Sequence, residues 1–172
     1  MMQKKVQIIS DGSLDLSQEL TKEKDIEVVP FYVSFDSETY QKEMVEVGVR
    51  EFYQEMVDHP TVFPKTSMPS VHDYYEVFEK YAKEQLPVIC ICITRKFSGS
   101  LQSATTAKDM ILEEYPDAQI TVIDSTVNTV LQGLYVLEAC RLRDMGLEYQ
   151  QIVDALLPIR ETGRIFFTIG SI

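Results

Sequence analysis

The sequence is poor in the residues that most often announce a function. It has no tryptophan, two histidines and three cysteines among 172 residues. Histidines His59 and His72 with cysteines Cys90, Cys92 and Cys140 are too few and too scattered for a zinc site. Free thiols in so small a number point to a reducing compartment, hence the cytoplasm. Cys90 and Cys92 alternate with Ile89, Ile91 and Ile93 and fall on one face of a strand as buried thiols. No run of eighteen apolar residues occurs, so a membrane-spanning helix is excluded. The start, through Ile8 and Ile9, lacks a signal-peptide core and reads as a strand that begins almost at once.

Several motifs are missing too. There is no G-x-G-x-x-G, no P-loop and no G-x-S-x-G elbow. Asp11 and Asp15 are spaced D-x-x-x-D, unlike the D-x-D of haloacid-dehalogenase-type phosphatases. Neither histidine follows a strand as a general base would: His59 precedes Pro60, and His72 opens a helix. Both read as surface residues.

What is present is ordinary for a globular protein, with 45% apolar and 25% charged residues. The formal charge of -11 repels a phosphate backbone and disfavours nucleic acid. Short apolar runs alternate with amphipathic stretches. Strands are expected at Lys5–Ile9, Ile26–Phe35, Val88–Thr94, Gln119–Ile123 and Ile165–Ile169, with a short return strand over Tyr40–Val45. Helices are expected at Leu16–Lys24, Val49–Asp58, from Ser70 with Asp73 as partner in a capping box, Leu101–Tyr115, Asn128–Met145 ending at Gly146, and Leu147–Arg160. Residues 59–70, with Pro60, Pro64 and Pro69, read as a loop. The order predicts an α/β fold, a three-layer α/β/α arrangement with a mostly parallel sheet of about four to five strands.

Hydroxyl-rich segments follow three of these strands: Ser10-Asp11-Gly12-Ser13, Ser98-Gly99-Ser100 and Asp124-Ser125-Thr126. In an open α/β sheet such loops gather at the carboxyl edge, where ligands bind. Lys65-Thr66-Ser67 can reach the same edge. Gly99 permits a tight backbone approach, and the helix that follows offers N–H groups and the positive end of its dipole. That suits an anion. Each segment also has a plainer reading, as a turn or a helix cap. Hydroxyls and amides with few acids or bases suit holding an anion better than transforming it.

Taken together, Ile8–Leu16, Val28–Phe31, Pro64–Ser70, Phe97–Ser100 with Gln102-Ser103-Ala104, and Val122–Ser125 resemble the DegV family in the family's order. The resemblance implies a protein that binds a long-chain, palmitate-like fatty acid, needs no cofactor and is not an enzyme. It implies that Thr66 and Ser98 contact the carboxylate, with Asp11, Ser13, Ser67, Gly99, Ser100 and Ser125 as further residues lining the site. It also implies a separate fatty acid kinase as partner. Family members continue into a second domain, so residues 1–172 read as the amino-terminal, head-group-binding portion of a longer protein. Gly12 stands where the family usually has Ser, which weakens a direct role for the first loop. Lys65 and Arg95 are expected to face solvent. The rival reading is a small hydrolase or phosphatase using Asp11 or Ser98.

Overall fold

Two sheets, one large and parallel, the other small and antiparallel, organise the chain. The computed structural model describes residues 5–166 and 168. Strand β1 (Gln7–Asp11) is buried at every position and leads into a single helical turn over Gly12–Leu14. Helix α1 (Gln18–Glu23) follows, capped by the Ser17 side chain, and then strands β2 (Ile26–Val29), β3 (Tyr32–Ser34) and β4 (Gln41–Lys42). Helix α2 (Val49–Asp58) and the short β5 (Lys65–Ser67) come next. Helix α3 (Val71–Lys83) opens with a complete capping box between Ser70 and Asp73. Strand β6 (Val88–Cys92), helix α4 (Ser100–Glu114), strand β7 (Ile120–Asp124), helix α5 (Thr129–Asp144) and helix α6 (Tyr149–Ile159) complete the described order.

The main sheet has the order β2-β1-β6-β7, with every pair parallel. Its residues alternate between two cores, as the two-residue period of a strand requires. Ile8, Ile89 and Ile91 face one way, into Tyr135, Val136, Ala139, Ile152 and Leu156 of α5 and α6. Ile9, Val88, Cys90 and Cys92 face the other way, into Tyr74 and Phe78 of α3 and Ala104, Ala107 and Ile111 of α4. The apolar run at Val88 is therefore apolar because both of its faces are covered. Cys90 and Cys92 sit side by side with sulfurs 3.8 Å apart, and all three cysteines are buried and unpaired.

Three expectations need correction. Ile26–Phe35 is two strands rather than one. Pro30 lies between them and has no N–H to continue a ladder, so β2 stays in the main sheet while β3 leaves it. The proline-rich loop contains β5, which pairs antiparallel with β3 through Val33 opposite Thr66 and Tyr32 opposite Ser67. A last strand at Ile165–Ile169 is not seen. Ile165, Phe166 and Thr168 lie in no strand, and residues 167 and 169 are outside the described residues.

The small sheet, in the order β4-β3-β5, has two distinct faces. Tyr32, Lys42 and Ser67 lie on one face, where the Tyr32 hydroxyl donates to Asp73 at 2.8 Å and the Lys42 ammonium lies 3.3 Å from the same carboxylate. Val33 and Thr66 lie on the other, toward the carboxyl edge of the main sheet. Just beyond β4, Glu43 donates its N–H to the Phe31 carbonyl, and its carboxylate accepts the Phe31 N–H at 3.0 Å. A Cβ on Gly12 would meet the Glu43 carboxylate oxygen where it now lies, so a side chain there would require that carboxylate to shift. Burial pushes the Glu43 carboxyl up, the Phe31 N–H opposes the shift, and the Asp15 and Asp11 charges reinforce it.

Two outcomes follow. Ile91→Ala, at a fully buried central position, should cost about 2–5 kcal/mol in a urea unfolding experiment. Glu43 holds its proton more tightly folded than unfolded, so its contribution is greatest at acid pH and is lost as pH rises through its folded titration. The stability advantage of wild type over Glu43→Gln should therefore shrink as pH is raised through and beyond the ordinary carboxylate range. An advantage that stays constant with pH contradicts the buried placement.

Candidate ligand site at the carboxyl edge

Because all four strands of the main sheet are parallel, the segments after β1, β6 and β7 emerge on the same side. They are also bonded to one another. Ser125 N–H donates to the Cys92 carbonyl at 3.0 Å, and Thr94 N–H to the Val127 carbonyl at 3.0 Å.

At the centre lies Asp11, with no exposed surface. Its Oδ2 accepts the Ile93 N–H at 2.9 Å and the Ser100 hydroxyl at 2.7 Å. Its Oδ1 accepts from Gln132 Nε2 at 2.8 Å. Gln132 also donates to Ser10 Oγ at 3.1 Å, and its Oε1 receives the Ser13 hydroxyl at 2.6 Å. The Tyr74 hydroxyl lies 2.6 Å from Ser100 Oγ; the Ser100 proton goes to Asp11, so Tyr74 is the donor in that pair. Burial pushes the Asp11 carboxyl up, while hydrogen bonds from Ile93, Gln132, Ser100 and Ser13 pull it down. Among the described residues no cation contributes to this balance.

Several expected lining residues thus build the edge and do not line it. Asp11, Ser100 and Ser125 are fully buried, and Ser125 Oγ donates to the Val127 carbonyl at 3.0 Å. Ser13 is half-buried and engaged with Gln132. Asp124 makes a turn by accepting the Thr126 N–H at 2.9 Å, and Arg95, itself largely exposed, lies 3.6 Å from it. An Asp11 nucleophile is ruled out by geometry, since no substrate reaches a carboxylate enclosed by three donors. His59 and His72 are exposed and pair with Glu55 and Glu76 one helical turn away.

Ser98, Gly99 and Thr66 remain open. Ser98 Oγ accepts the Ser100 N–H at 3.2 Å, which leaves its own proton to donate outward. Gly99 is the residue that precedes α4 and has no side chain of its own to cap it. A Cβ at Gly99 would come within 2.6 Å of the Met68 sulfur. This close approach lays the end of the Lys65-Thr66-Ser67 strand against the amino terminus of α4. Thr66 is exposed and lines a cavity of about 660 Å³ with Gly12, Val33, Glu43, Phe52 and Tyr53. A second, more apolar cavity of about 830 Å³ begins at Phe97, the residue before Ser98, and continues over Val130, Leu134 and Phe166. Ser67 and Lys65 are exposed. Among the described residues no cluster could hold a metal ion, and no helix is long and apolar enough to cross a membrane.

Four residues of this edge escape a reading of the sequence: Gln132, Tyr74, Glu43 and Met68. Only Gln132 leaves a trace, as a lone polar residue on the stripe of α5 that carries Tyr135, Val136 and Ala139.

Residues 5–172 match the family described as "Uncharacterised protein, DegV family". A DegV domain-containing protein of Clostridium acetobutylicum is 34% identical over 153 residues, which is 89% of this chain and 53% of the relative. One from Halalkalibacterium halodurans is 34% identical over 169 residues, covering 98% of this chain and 58% of the relative. The chain thus spans a little over half the length of the curated relatives it matches. Among solved structures, a protein of Eubacterium ventriosum described as a fat acid (stearic acid)-binding protein superposes with a TM-score of 0.84 at 46% identity, over 88% of this chain and 52% of that one. A Thermus thermophilus DegV family protein, described by its fatty acid binding, gives 0.76 at 29% identity, over 91% and 54%. In fold and in sequence, across nearly its whole length, this chain belongs to the DegV family.

Proposed function

We propose that this protein binds a long-chain fatty acid and holds its carboxylate through Thr66 and Ser98 at the carboxyl edge of the parallel sheet. It acts without catalysing a reaction and presents the lipid head group to a separate fatty acid kinase in the cytoplasm. The observation that carries this reading is the packing of Met68 on Gly99, which lays the end of the Thr66 strand beside the helix amino terminus where Ser98 has a proton to give. The stearic-acid-binding relative from Eubacterium ventriosum, at 46% identity, supports the choice of ligand.

The energetics are consistent with this role. Burying a sixteen-carbon tail can yield on the order of 10 kcal/mol at about 0.8 kcal/mol per methylene, before association costs. Leaving the carboxylate buried and unpaired would cost several kcal/mol. Two hydroxyls and the positive end of α4 offset much of that without an arginine. An enzymatic reading gains nothing from the buried Asp11, and each histidine is exposed and paired with a glutamate of its own helix.

Lipid extracted from the purified full-length protein should contain fatty acid by mass spectrometry. A Thr66→Val, Ser98→Ala double variant should lose most of it, at least about tenfold in occupancy, while unfolding at nearly the wild-type urea concentration, since both side chains lie outside the two cores. Full lipid occupancy in that variant removes these two residues from the proposal. Wild-type protein empty of fatty acid and unable to take it up removes the function.

A further inference from the structure

With the fatty-acid reading above as its basis, we propose that Met68 is a modification site: a thioether at the head-group end whose oxidation by a peroxide to the sulfoxide loosens the hold on a lipid carboxylate. Thioethers are common fillers of apolar cores, but this one belongs to neither core of the protein.

Its placement carries the inference. Met68 stands two residues beyond Thr66, directly after β5. A Cβ on Gly99 would lie only 2.6 Å from its sulfur and 3.1 Å from its methyl carbon. Gly99 itself sits between Ser98 and the first residue of α4. The sulfur thus comes from the Thr66 side of the site and rests against the Ser98 side. Met68 is 44% exposed, so an oxidant in solution can reach it. Met56, Met110 and Met145 are exposed too, but on α2, about three turns along α4 and just after α5.

The modification is an oxygen transfer. A sulfur lone pair attacks one oxygen of hydrogen peroxide, the O–O bond breaks and an S–O bond forms. The second oxygen leaves as hydroxide and collects the proton of the first to become water. The sulfur loses two electrons and the peroxide gains them, so no other reactant is needed. A thioether is a weak acceptor, whereas the sulfoxide is polar and carries an acceptor oxygen. The first N–H groups of a helix have no partner within it, and Ser98 has a hydroxyl proton to give while its oxygen takes the Ser100 N–H. An oxygen on the Met68 sulfur competes for the donors that a carboxylate would use. Where it finds no room over Gly99, it pushes Met68 aside, and Thr66 is two residues away. Both routes weaken the grip on the head group and leave the tail contacts alone.

The test uses the full-length protein, emptied of lipid and treated with hydrogen peroxide, with conversion of each methionine read by peptide mass spectrometry. Kd is measured for palmitic acid and for the primary alcohol of equal chain length. Oxidation of wild type should raise the Kd for the acid about tenfold, the size of one lost hydrogen bond to a charged group, and change that for the alcohol much less. Treatment with methionine sulfoxide reductases should restore it. In Met68→Leu, whatever its starting affinity, peroxide should leave the Kd for the acid where it was. A chain with Met56→Leu, Met110→Leu and Met145→Leu keeps Met68 and should stay as sensitive as wild type, which decides the matter if Met68→Leu does not fold. An unchanged Kd with Met68 fully oxidised overturns the inference. So does equal sensitivity in Met68→Leu, an equal loss for acid and alcohol, or a Met68 that stays reduced while Met145 is converted. Each of these leaves the fatty-acid reading standing. Untreated wild type that binds neither probe overturns both.

Discussion

A single buried carboxyl group, Asp11, held by hydrogen bonds and, among the described residues, by no cation, is the constraint around which this edge is built. Asp11 must be satisfied by hydrogen bonds, because a buried carboxyl group left without partners would cost several kcal/mol. β1 supplies the carboxyl group, and its partners come from three other parts of the chain: an N–H just past β6, a hydroxyl on α4 and an amide on α5. Each of these can reach Asp11 only if the parallel sheet is in register and both helix layers are in place. The polar network thus specifies the same arrangement that the two apolar cores favour, which is the agreement between levels that a single native state requires.

The small antiparallel sheet is the second device. It is too short to stand alone, and it is held over the main sheet by specific approaches to glycines. Glu43 occupies the space at Gly12, and Met68 packs on Gly99. Backbone without a side chain at those positions lets one sheet lie close above the ends of the other. The face that carries Thr66 then looks toward the loops that follow β1 and β6, while the opposite face is locked to α3 through Tyr32, Lys42 and Asp73. A loop whose prolines suggest irregular structure becomes an ordered wall of the candidate site.

The polar edge stands beside apolar surface. Phe97, Val130, Leu134 and Phe166 are all more than half exposed around the larger cavity, and Tyr53 is 61% exposed beside the smaller one. Apolar surface gathered next to a hydroxyl-bearing helix terminus is the chemistry of an amphiphile with a charged end and a long tail. Residues that would face a lipid tail cannot be picked out by pattern. A residue that packs on lipid and one that packs on protein are apolar for the same reason.

The sequence by itself determined the parallel α/β core, because the five-residue run Val88–Cys92 and the alternation of strands with amphipathic helices admit few other solutions. It also determined helix α2 to the residue and the α3 capping box, since these signals are local. The family followed from motif order. Tertiary structure alone decided the rest. Lys65-Thr66-Ser67 has no apolar residue and no strand period of its own, and becomes a strand only because β3 offers it a partner. Pro30 divides one expected strand between two sheets because the missing N–H must fall where no ladder needs it. Whether Asp11, Ser100 and Ser125 line the site or lie beneath it depends on partners up to 121 positions distant, as with Gln132, and contacts at that range leave no period or spacing in the chain to be read.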